Sequence, residues 1–299
     1  MRRVSALRRR YSLHFSYSIN KGIMKHLMRQ WTARLALAML VFTSVLAAQA
    51  GEYYLREKFT YMPESKAMMT GFEKSSNGID CNQDGKILDT YTMSKTWWYQ
   101  DPNDHLQRYN ECSVIEIAEN AFKGQDQVKT INLADYLQTM PEGVFKDCKS
   151  LTSVNINSGN KFFKSDGNCL YRVNGSAKKL LWVSSAVTDF VIPADVTSVT
   201  PYTFMNCKSL SSLTIDPQNQ SLKMSGDFIV SHDGSKVYAC LRHGSEVVVP
   251  DDVTSIPDGF MAENIFSDVT KVVLPESLEK IGSYAFKGCT SLKEIELPA

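Results

Sequence analysis

Five phenylalanines carry the same apolar frame, and a frame repeated at so short a spacing restricts the fold more than any other feature of this chain. Around Phe286 the frame runs Leu278, Ile281, Phe286, Cys289, Leu292, Ile295 and Leu297. Phe204 repeats it with Val196, Val199, Cys207, Leu210, Leu213 and Ile215, and Phe145 with Leu137, Met140, Cys148, Leu151, Val154 and Ile156. Phe122 carries Val114, Ile117, Val128, Ile131 and Leu133, with Gln125 where the others have Cys. Phe260 is a looser copy, its preceding Val253 and Ile256 one residue nearer and its following Val269, Val272 and Leu274 three residues later.

From Ile117 to Met140 the step is 23 residues, and from Ile256 to Ile281 it is 25. A unit of that length cannot bury its own apolar set, so neighbouring units must stack and share one core, which predicts a solenoid. The L-x-x-I-x-L part alternates as a strand does, and stacking such parts predicts a parallel sheet along one face. The Tyr-Ala-Phe-Lys-Gly-Cys part does not alternate and predicts a short helical turn on the opposite side. Pro193, Pro250, Pro275 and Pro298 follow the strands, where a residue without an N–H stops the pairing. The departures at Gln125 and around Phe260 predict a bulge in the coil.

The strings L-x-x-I-x-L-P and V-x-x-I-x-x-x-A-F-x-x-C resemble the BspA-like class of leucine-rich repeats, named for bacterial surface proteins and similar to treponemal leucine-rich repeat proteins. The resemblance covers residues 112–299 and implies a β-rich leucine-rich repeat solenoid. Two longer pieces, residues 157–190 and 216–247, interrupt it. Asp166-Gly167 and Asn174-Gly175 in the first, and Gly226-Asp227 and Asp233-Gly234 in the second, are hairpin signals between apolar runs. Each insert is expected to be a three-stranded meander returning to the repeat at Ile192 or Val249. Residues 51–111 show no clean repeat and are expected to cap the first coil. No polar segment follows Leu297 to cap the last one, which predicts a shortened chain, a pairing partner at that end or a marginal last coil.

Residues 1–50 carry nine Lys/Arg, no acidic residue, an apolar run from Leu35 to Ala48 and the small-x-small string Ala48-Gln49-Ala50. This is the pattern of a signal peptide cleaved after Ala50, with translation starting at Met1, Met24 or Met28. The remainder keeps 24 Lys/Arg against 32 Asp/Glu, a net charge of −8. An acidic chain without clustered Lys/Arg argues against nucleic acid and anionic lipid as partners, and no later segment has membrane-spanning length. The reading is therefore a secreted or cell-surface protein. Seven cysteines, Cys81, Cys112, Cys148, Cys169, Cys207, Cys240 and Cys289, are an odd number, and those in the repeat frame read as small packed residues.

Asp80, Asn82, Asp84 and Gly85 match the first positions of a calcium loop, but Tyr91 stands where the completing carboxylate belongs, so a β-turn explains them and no metal or cofactor is assigned. The histidines His105, His232 and His243 belong to no catalytic string, and no nucleotide-binding or hydrolase motif occurs, so no catalytic residue is assigned. Trp97, Trp98 and Tyr99 form the most aromatic stretch, suited to sugar stacking, to protein contact or to capping the first coil. The outward positions of the strands are Lys129, Thr130 and Asn132, Thr152, Ser153 and Asn155, Ser211, Ser212 and Thr214, and Lys293, Glu294 and Glu296, a face rich in Ser, Thr and Asn whose first nine residues are the candidate binding surface. The resemblance implies binding of a protein or glycan outside the cell and adhesion through such a face. A carbohydrate-binding role for Trp97 to Tyr99 is the alternative.

Overall fold

A computed structural model describes residues 53–62, 66–75, 79–81, 86–87, 89–100, 109–241, 244–261 and 266–298, all within the compact unit Tyr53–Ala299. The expected signal peptide, residues Asn82, Asp84 and Gly85 of the calcium-like loop, His105, His243 and the extra residues after Phe260 lie outside them. The described chain is built from strands and turns; it contains no α-helix and no closed barrel.

The chain begins with a five-stranded sheet made of β1 (Tyr53–Met62), β2 (Lys66–Ser75), β3 (Ile79–Cys81), β5 (Thr96–Gln100) and β6 (Tyr109–Ile117), in the order β3-β1-β2-β6-β5. Ala67 and Met69 of β2 and Val114 and Ile117 of β6 are fully buried, so one face of this sheet lies on the core of the first repeats.

The predicted strands pair in parallel, but in three separate ladders. The first joins β4 (Thr90–Thr92), β7 (Thr130–Asn132) and β8 (Ser153–Asn155). The second joins β12 (Asp189–Ile192) to β14 (Ser212–Ile215), and the third joins β18 (Glu246–Val248), β20 (Lys271–Val273) and β22 (Glu294–Glu296). The two breaks fall at the two inserts. Each insert is a three-stranded antiparallel meander: β9 (Phe163–Ser165), β10 (Cys169–Asn174) and β11 (Ala177–Val183), then β15 (Leu222–Ser225), β16 (Phe228–Ser231) and β17 (Val237–Cys240). Their hairpin glycines Gly167, Gly175, Gly226 and Gly234 all take positive φ, which is why glycine stands there. Two further parallel pairs join β13 (Ser198–Val199) to β11 and β19 (Ser255–Ile256) to β21 (Lys280–Ile281).

The Ala-Phe-x-x-Cys segments form successive tight turns where helical turns were expected. Lys146 N–H donates to Gly143, Cys148 N–H to Phe145 and Leu151 N–H to Cys148, each spanning three residues. Left-handed glycines such as Gly124 (φ 77°) and Gly288 (φ 97°) break any continuation into a helix. Two frame phenylalanines join a chain of edge-on and tilted rings through the core: Phe72, Tyr91, Phe122 and Phe145 follow one another with centroid separations of 5.1, 5.6 and 5.3 Å. Each buried ring contributes roughly 1.5–3 kcal/mol of apolar transfer energy.

Gln125 produces no bulge. It is buried and its side-chain carbonyl accepts the Ile87 N–H at 2.8 Å, tying its coil to the preceding one. The equivalent thiols do the same more weakly, Cys207 Sγ lying 3.5 Å from the Val183 carbonyl and Cys289 Sγ 3.4 Å from that of Met261.

Candidate functional site

The first ladder arranges its outward residues in two columns. Thr90, Thr130 and Ser153 are in register, as are Thr92, Asn132 and Asn155, with the buried Tyr91, Ile131 and Val154 between them. The alternation of a strand forces this: the middle residue enters the core and its neighbours face outward. Asn155 Nδ2 donates to Asn132 Oδ1 at 2.9 Å, and Asn132 Nδ2 donates to Thr92 Oγ1 at 2.9 Å. The amides thus form a chain along the ladder that fixes their rotamers and leaves the remaining donors and acceptors pointing to solvent. Charged pairs flank the columns, Lys129 with Asp89 at 3.8 Å before the strands and Lys95 with Asp135 at 2.6 Å after them. Asp135 holds Lys95 above the usual lysine range.

Thr90 and Thr92 belong to this face although the repeat frame did not include them. Leu88-Asp-Thr-Tyr91-Thr-Met93 fits L-x-x-I-x-L with Tyr at the central position. The signal was present but carried by an aromatic residue outside the aliphatic set. Tyr91 is 1% exposed; its hydroxyl donates to Glu57, whose carboxylate also accepts the Ser94 N–H at 2.9 Å. Burial and the Glu57 charge both raise the Tyr91 phenol well above its ordinary value. The residue that leaves the calcium-like loop without its last ligand is therefore a core strand residue.

Thr152 and Ser211 do different work from the rest of the predicted face. Thr152 Oγ1 donates to the Lys129 carbonyl at 3.2 Å and Ser211 Oγ to that of Thr188 at 3.0 Å. Thr270 repeats the contact with Ser245 at 3.0 Å. These hydroxyls fasten one coil to the next. Ser212 and Thr214 sit on the second ladder and are exposed, with no side-chain partner among the described residues. The structure thus groups Thr130, Asn132, Ser153 and Asn155 together, with Ser212 and Thr214 on a separate ladder. The third ladder presents different chemistry: Lys271 lies 2.5 Å from Glu296, 3.5 Å from Glu246 and 3.8 Å from Glu294, beside Val248, which is 55% exposed.

Trp97, Trp98 and Tyr99 lie on β5, an edge strand of the first sheet, paired with Cys112, Glu111 and Asn110. Their side chains lie outside the described residues. Cys148, Cys169, Cys207 and Cys289 are buried free thiols. Burial pushes the Cys207 thiol up to about 12 and Cys148 further still, so these sulfurs remain protonated near neutrality. His232 is exposed in a turn.

A family model described as the BspA type leucine rich repeat region matches residues 107–174, 180–232 and 254–299 in six copies. Among solved structures, a leucine-rich repeat protein from Eubacterium ventriosum is 13% identical with a TM-score of 0.39, covering 82% of this chain and 72% of its own. A leucine rich cell surface protein from Faecalibacterium prausnitzii is 17% identical with a TM-score of 0.33, covering 83% and 77%. A leucine-rich repeat protein from Bacteroides ovatus is 14% identical with a TM-score of 0.32, covering 83% and 82%. A search of the curated proteins returned no match.

Proposed function

The chain belongs to the BspA-type leucine-rich repeat family, and from that premise we propose an exported, non-enzymatic recognition protein whose repeats stack as a solenoid and whose strand face binds a protein or glycan outside the cell. The observation that carries this reading is the paired columns Thr90/Thr130/Ser153 and Thr92/Asn132/Asn155, held in register by the ladder and by the amide chain from Asn155 to Thr92. A rigid array of neutral donors and acceptors loses little side-chain entropy when a ligand docks, because the rotamers are already fixed. Neutral hydroxyls and amides suit the hydroxyls of sugars and the main chain of proteins, while the repeated coils extend the contact area.

The test is capture of the protein on immobilised extracellular proteins and glycans, comparing wild type with a Thr130→Arg/Ser153→Arg variant. Both positions are outward, so melting should stay within about 0.5 kcal/mol of wild type. Loss of capture at unchanged melting supports the face. Capture that survives both substitutions, or no capture of the wild type on any surface, overturns it.

A further inference from the structure

The two inserts are structural copies, and only one of them closes the ladder it interrupts. Ser165 pairs with Leu170 as Met224 pairs with Ile229, and Phe163 pairs with Arg172 as Leu222 pairs with Ser231. Buried asparagines anchor both in the same way, Asn160 to the carbonyls of Asp135 and Leu137 and Asn219 to those of Pro193 and Val196. In the first copy the hairpin turn leans on the central residue of β8: Val154 N–H donates to the Gly167 carbonyl at 3.0 Å, and the Ser165 hydroxyl reaches the Val154 carbonyl. In the second copy the place of Ser165 is taken by Met224, whose thioether has no hydrogen to donate.

The consequence lies at Leu213, the residue of β14 that corresponds to Val154. Its neighbours Ser212, Thr214 and Asp216 direct their main-chain groups to β12, so those of Leu213 face the opposite side, where they meet no partner among the described residues. A cleft runs along that edge in two adjoining parts of about 640 and 410 Å³, which share Leu213 and Met224. Phe204, Leu210 and Phe266 line its apolar side, and Lys208 and Asp227, neither in an ion pair among the described residues, supply one charge of each sign. The wall is neither a flat apolar patch nor a closed core: it is an unpaired strand edge beside apolar volume.

We propose that this edge binds an extended peptide segment of another protein by strand addition, a binding mode distinct from the outward face. The occupant follows from the first copy, where backbone from the chain itself fills the same place with one acceptor for the Val154 N–H. A strand alongside β14 gives the Leu213 N–H and C=O their partners. An apolar side chain of that strand fills the space beside Phe204 and Phe266, and an acidic and a basic side chain answer Lys208 and Asp227.

The probe is an acetylated, amidated heptapeptide alternating valine with glutamate, threonine and lysine, alongside the same peptide N-methylated at alternate residues to remove its main-chain donors. Amide exchange of Leu213 in the free protein should be fast and that of Val154 slow, and the unmodified peptide should slow Leu213 by about tenfold or more while the methylated peptide does not. A Lys208→Glu variant should bind the probe about five- to tenfold more weakly, since it turns one attractive pair into a repulsive one. Three results would each overturn the proposal: Leu213 as protected as Val154 before any addition, no protection by the unmodified peptide at millimolar concentration, or equal protection by both peptides. Concentration-dependent protection of Leu213 without peptide, accompanied by a dimer in sedimentation, would assign the edge to a second copy of this chain and overturn it as well.

Discussion

At the scale of single residues, a few polar side chains buried between coils matter more than their number suggests. Asn160 is 5% exposed and makes four bonds, donating to the carbonyls of Asp135 and Leu137 and accepting from the N–H groups of Phe162 and Phe163. Removing the side chain leaves main-chain groups without partners in a dry place, at a cost of about 1–3 kcal/mol for a buried group so orphaned. Asn160→Ala should therefore lose about 3 kcal/mol in chemical denaturation, and a loss below roughly 1 would mean that water replaces the amide. Tyr284 makes the opposite case. It occupies the place of Gly143 (φ 71°) in its own copy, takes φ 57° and is 75% exposed. A left-handed non-glycine residue costs about 1–2 kcal/mol, partly offset by the freedom glycine adds to the unfolded chain. Tyr284→Gly should raise stability by about 0.5–1 kcal/mol, read as a higher Tm.

At the scale of elements, the coils touch so closely that some contacts exclude even a methyl group. A Cβ on Gly282 would lie 2.3 Å from the Asp258 nitrogen and 2.4 Å from the Pro257 carbonyl carbon, both main-chain atoms that cannot swing aside. Gly282→Ala should cost about 2–3 kcal/mol, as overpacked sites do, and should speed amide exchange in β21 and β22 before the rest of the chain. The parallel strands, the two meanders and their turn glycines were legible because apolar spacing and Gly-Asp, Asp-Gly and Asn-Gly pairs are local signals. The rung at Thr90–Thr92 was not, because Tyr91 replaces the aliphatic residue. The division into three ladders was hidden too. The first insert sets the Ser165 hydroxyl against β8 where the second has the Met224 thioether, a difference that changes no periodicity. The bonds made by Thr152 and Ser211 were not legible for the same reason, since an outward position in the pattern does not reveal a bond to the preceding coil.

At the scale of the whole molecule, the outward chemistry changes along the chain while the core frame repeats. The first ladder is neutral and hydrogen-bonded, and the third is charged around Lys271, whose carboxylate neighbours raise its pKa. On the reading proposed above, the first ladder recognises hydroxyl- and amide-bearing ligands, and the third is a solvated ion-pair network of small energetic weight. Amide hydrogen exchange of the protein with and without a captured ligand tests this most directly. The account predicts slowed exchange concentrated in Thr90–Thr92, Thr130–Asn132 and Ser153–Asn155, with the turns at 120–125 and 143–150 unchanged. Slowing confined to those turns, or to the third ladder, would contradict it.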